Sequence, residues 1–90
     1  MPYIKDEDKK GYYNILSLIA LKFFEKATSG ELNYLFTMIA LEYISRKGEK
    51  YEYYNDIIGA LENCKLELYR RKISKYEDIK IKENGDCYYS

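Results

Sequence analysis

The chain has 90 residues, with 15 Lys+Arg balanced by 15 Asp+Glu and no His. That length makes one small domain, residues 1–90, and its 47% hydrophobic and 33% charged residues exclude disorder and fibrous repeats. The absence of His removes serine-histidine and cysteine-histidine triads within one chain, along with the commonest metal ligand.

Cys64 and Cys87 are 23 positions apart without a C-x-x-C pair, which argues against a structural zinc site and for a reduced, cytoplasmic setting. The longest uncharged run, Gly11 to Leu21, has 11 residues, against the roughly 20 that a bilayer span needs. Asp6, Glu7 and Asp8 spoil the basic start of a signal peptide, so neither membrane insertion nor secretion is expected. Zero net charge also argues against a dedicated binder of duplex nucleic acid, whose affinity rests on phosphate contacts.

The first predicted helix runs from about Gly11 to Ala27, with Tyr12, Ile15, Leu16, Ile19, Phe23 and Ala27 on one side. Tyr13, Leu18, Leu21 and Phe24 on its other side need a second cover. Thr28-Ser29-Gly30-Glu31 reads as a capping box that opens a second helix, Gly30 to Lys47. That helix is apolar on two sides, Leu32, Leu35, Phe36, Ile39 and Tyr43 against Tyr34, Met38 and Leu41, so it is central or shared with another subunit. Arg46, Lys47 and Gly48 form its C-terminal stop.

A third helix runs from Tyr51 or Tyr54 to Ile73, with Tyr54, Ile57, Ile58, Leu61, Cys64 and Leu68 expected on its buried side. Gly59 in its middle costs up to about 1 kcal/mol relative to Ala, which points to a close approach by a neighbouring backbone or ligand. Ser74-Lys75-Tyr76-Glu77 reads as another capping box before a short helix that Asn84-Gly85 ends. The expectation is all-α: a compact bundle of three main helices plus a short C-terminal helix. So small a domain, apolar on several helix sides, is expected to form a homo-oligomer through the second helix or the outer side of the first.

Lys65 falls in the apolar sector of the third helix, where it snorkels, pairs, or holds an anion, with Glu62 and Tyr69 beside it. Arg70 and Arg71, with Tyr69 and Tyr76 near the next helix, combine forks that match phosphate with rings that stack on bases. The plainer alternative is a solvated last turn whose cations suit the helix dipole. Asn33, next to Tyr34 and one turn before Thr37, is either plain surface or a donor to a ribose or base. The carboxylates offer material for magnesium, but Glu62 and Glu67 do not share a helical face, so no metal site is expected. The tyrosines serve most simply as core and interface fillers.

Taken as a set, Met1-Pro2-Tyr3-Ile4, Gly30 to Tyr34, Asn55 to Glu62, Lys65 to Arg71, Tyr76-Glu77-Asp78 and Glu83 to Asp86 resemble a family of small proteins of unknown function from bacteria and their phages. The resemblance covers nearly the whole chain but implies no activity. Cys87 and Tyr88-Tyr89-Ser90 belong to none of these motifs. In size and helical character alone, the chain is also similar to small phage proteins that sequester nucleotide immune signals.

The leading expectation is therefore a non-enzymatic binder of an anionic nucleotide-like ligand, in the manner of a phage anti-defence sponge in a bacterial host cell. Arg70, Arg71 and Lys65 would hold phosphate, Tyr69, Tyr76 and Tyr34 would line the base, and Asn33 and Glu62 would take hydrogen bonds. No cofactor is called for. The alternatives are a helical module that binds a host or phage protein, and a metal-dependent nucleotide hydrolase.

Overall fold

The computed structural model describes residues 3–88, and Met1, Pro2, Tyr89 and Ser90 with their motif assignments lie outside them. Helices α1 (Asp6–Lys9), α2 (Tyr13–Phe24), α3 (Ser29–Lys47), α4 (Tyr51–Leu68) and α5 (Ser74–Asn84) follow in order, and no strand occurs among the described residues. A 3-10 turn, Lys10–Tyr12, joins α1 to α2, and a π turn, Tyr69–Ile73, joins α4 to α5. The all-α expectation therefore holds. The chain resolves into two compact units, residues 1–57 and 58–90, with the boundary inside α4.

In the first unit, α1 places Asp6, Glu7 and Asp8 at its positive end, where the dipole favours them, and Lys9 pairs back to Asp6 at 2.6 Å. Glu25 is extended and stops α2. The predicted capping box then starts α3: the Glu31 N–H donates to Thr28 Oγ1 and the Thr28 N–H donates to Glu31 Oε2, both at 3.2 Å. At the other end Gly48 has φ +110°, a conformation that a side chain resists, and its N–H donates to the Ile44 carbonyl at 2.8 Å. The chain re-enters a helix at once, with the Tyr53 and Tyr54 N–H groups donating to the Lys50 carbonyl at 3.0 and 3.1 Å. Ile44, on the last turn of α3, is the one buried residue among those described.

The second unit departs from the sequence reading at Ser74. Its backbone is helical, φ −59° and ψ −40°, so it cannot serve as an N-cap, and its own N–H donates to the Tyr69 carbonyl to close the π turn. Nothing between Leu68 and Ser74 breaks a helix, so one extra residue is absorbed as a wider turn and the backbone donors of α5 need no side-chain cap. Gly85, at φ +87°, ends α5 as expected. Gly59 also needs correction within the chain: a methyl group placed there meets nothing within 4 Å.

Candidate functional site

The most conspicuous feature of the N-terminal unit is an uncovered helix. Over Tyr13–Phe24, α2 carries a single charge, Lys22, and no buried residue. Leu18 is 67% exposed, Leu21 70% and Phe24 94%, although Ile19 on another side is half-buried. Exposure continues on α3, where Tyr34, Met38 and Leu41 on one side and Ile39 and Phe36 on the other remain open. A run of exposed aliphatic and aromatic side chains along a helix is what binding surfaces present, whereas isolated exposed apolar residues are ordinary.

Where α3 meets α4, a polar-aromatic corner holds the turn. The Tyr43 hydroxyl donates to Asp56 Oδ2 at 2.9 Å, and the Tyr43 and Tyr53 rings meet edge to face with centroids 6.5 Å apart. Lys47 Nζ lies 5.8 and 6.0 Å from those two centroids. The hydrogen bond to Asp56, with desolvation and that carboxylate's charge, pushes the Tyr43 phenol above its ordinary pKa. Ile39, Glu42, Tyr43, Arg46 and Lys47 line an open hollow of about 330 Å³ on this side of α3. Sequence reasoning missed this group. Its sequence signal is the i, i+4 spacing of Tyr43 and Lys47, which on sequence alone reads as apolar packing by the one and a complement to the helix dipole by the other.

In the C-terminal unit the π turn gathers the two arginines. Arg70 Nη2 and Arg71 Nε each reach the same oxygen, Glu67 Oε2, at 2.9 Å, while Arg70 Nε donates to Glu67 Oε1 at 3.2 Å. The Glu67 side chain is 25% exposed, and these guanidinium groups, Arg70 foremost, hold its carboxyl below the usual glutamate range. Lys65 is exposed and pairs with Glu62 at 3.2 Å, so its placement in the apolar sector is resolved by pairing at the surface. Tyr69 and Tyr76 are exposed, and Lys80 Nζ lies 5.5 Å from the Tyr76 ring centroid. Beyond them, Glu77, Lys80, Ile81, Asn84 and Gly85 line a shallow hollow of about 270 Å³.

Of the eight residues expected to bind a ligand, Glu62, Lys65, Tyr69, Arg70, Arg71 and Tyr76 thus belong to the C-terminal unit. Asn33 and Tyr34 belong to α3 in the other. On that strip the Thr37 hydroxyl turns back to the helix and donates to the main-chain carbonyl of Asn33 at 2.9 Å. Among the described residues no group of three or more acidic or cysteine side chains could hold a metal ion, and no helix is long and apolar enough to cross a membrane.

No curated protein and no solved structure matches the chain. A family model matches residues 1–87, and with nearly the whole sequence inside it the chain belongs to the family described as a domain of unknown function, DUF6899.

Proposed function

We propose that this protein is a non-enzymatic helical interaction module, working as one domain in the cytoplasm of a bacterial cell, whose exposed aliphatic and aromatic helix faces are contact surfaces for another protein chain. The observation that carries this reading is α2, twelve residues with one charge and no buried side chain. Water around so much apolar surface is unfavourable, at roughly 25 cal/mol per Å² relative to burial. A partner that covers the helix removes that cost. The exposed thiols of Cys64 and Cys87 suit a reducing compartment.

Hydroxyl-radical footprinting tests the reading. Leu18, Leu21 and Phe24 should be labelled several-fold less in living cells than in the purified chain at high dilution. Equal labelling in both conditions would sink it.

One observation favours a second reading, capture of a small phosphate-bearing ligand by the C-terminal unit. Two guanidinium groups converge on one carboxylate oxygen, an arrangement in which Glu67 occupies the position of an external anion. Tyr69 and Tyr76 are accessible for stacking nearby in sequence, and a phage sponge for a nucleotide signal would use this chemistry. Titration calorimetry with ATP and with inorganic phosphate, on the wild type and on Arg70→Ala/Arg71→Ala, is the relevant measurement. Heat that is lost in the variant supports capture, and identical traces for both proteins remove it.

A further inference from the structure

The outer sector of α2 is a short, self-complementary pattern. Asn14, Leu18, Leu21 and Glu25 follow one another at spacings of four, three and four residues. At 100° per residue this keeps all four on one side of the helix, with Lys22 turned toward another. Leu18 and Leu21 are the apolar centre, and an amide and a carboxylate stand at the two ends.

We infer that the partner covering α2 is a second copy of this chain, packed antiparallel about a two-fold axis that passes between Leu18 and Leu21. The inference rests on the interaction reading above and names its partner. In this register Leu18 of one copy faces Leu21 of the other, with Ile15 and Phe24 at the two opposite edges of the contact. The Asn14 amide reaches Glu25, to which it donates a hydrogen bond. Every contact occurs twice, as an isologous interface requires. Lys22 stays at the rim with Glu25, 3.9 Å away in its own copy.

Area fits a modest two-fold contact. Leu18 and Leu21, with Ile15 and Phe24 at the edges of that sector, are each more than half exposed, on the order of 500 Å² of side-chain surface per copy, against about 800 Å² in a standard interface, which suits weak and reversible association. Chemistry favours it as well. A nearly chargeless face needs an opposing face that buries no unpaired charge, and the same helix in another copy supplies one at equal concentration. Antiparallel packing also opposes the two helix dipoles.

Sedimentation equilibrium of the full chain, with helicity followed by circular dichroism, is the test. The wild type is expected to be a dimer at tens of micromolar, and Leu18→Glu/Leu21→Glu to be helical and monomeric, with association weakened by at least about 100-fold. A second, milder series guards against misfolding. Asn14→Glu faces Glu25 of the partner and should weaken the dimer about tenfold, whereas Asn14→Glu/Glu25→Lys should restore it. A dimer insensitive to all three variants would overturn the α2 contact. If the wild type is a monomer with Leu18 and Leu21 readily footprinted, the second copy is wrong while the interaction reading stands. A monomer in which those residues are already protected would overturn both.

Discussion

Glu67 is the residue on which most of the C-terminal polar chemistry depends. It takes hydrogen bonds from Arg70 and Arg71, and the consequence is a carboxyl whose folded-state pKa lies below its unfolded value. The stabilisation from this ionised form is complete above the unfolded pKa and disappears as pH falls through the lower folded one. Carboxyl-carbon NMR should therefore find Glu67 titrating below a free glutamate, and Glu67→Gln should remove that part of the acid-induced loss of helicity near the π turn. A Glu67 midpoint at or above the free value would contradict the geometry. Tyr43 works with the opposite sign, because its neutral phenol is the donor to Asp56, and Tyr43→Phe should lower the melting temperature by a few degrees at most at so exposed a site. The cationic residues Arg70, Arg71 and Lys65 were legible as a set from their types and spacing. Their pairing with Glu67 and Glu62 was only half legible, since i, i+3 and i, i+4 neighbours are fixed by helix geometry but the choice between a neighbour and an outside anion is not.

Helix ends were the most readable elements, because a cap is decided by residues within a few positions of it. The Thr28–Glu31 box and the stops at Gly48 and Gly85 all form where the sequence places them. Thr28→Ala should cost about 1 kcal/mol in chemical denaturation, and Gly48→Ala should cost on the order of 1–2 kcal/mol because a Cβ is strained at φ +110°. Unchanged midpoints for both would mean that the ends of α3 do not limit its stability. Ser74-Lys75-Tyr76-Glu77 has the same letters as a capping box but caps nothing where α5 begins, since the preceding chain is already helical and the Ser74 N–H is bonded back into it. Sequence signals for a start are informative only where something upstream stops. Gly59 lies in open space in α4, so Gly59→Ala should stabilise the chain by up to about 1 kcal/mol unless a partner's backbone comes against it.

At the scale of the molecule, the helical class was legible from periodicity, whereas the burial of the predicted apolar stripes was not. Ile19, Leu35 and Ile57 are half-buried and Ile44 is buried, while Ile15, Leu61 and Leu68 on those same stripes stay exposed. Periodicity reports that a helix has an apolar side, and says nothing about which chain supplies the cover. If a second copy supplies it, folding and association are one equilibrium. Stability then grows with concentration by mass action, by about 1.4 kcal/mol per mole of dimer for each tenfold increase. With the unfolding entropy of two 90-residue chains, this corresponds to a rise in melting temperature of roughly 3–5 °C per decade. Calorimetric scans between micromolar and millimolar protein should show that slope for the wild type, and a lower, concentration-independent transition for Leu18→Glu/Leu21→Glu. A wild-type transition that stays fixed across the whole range would mean that the chain folds without another copy, and that the cover for α2 must come from elsewhere.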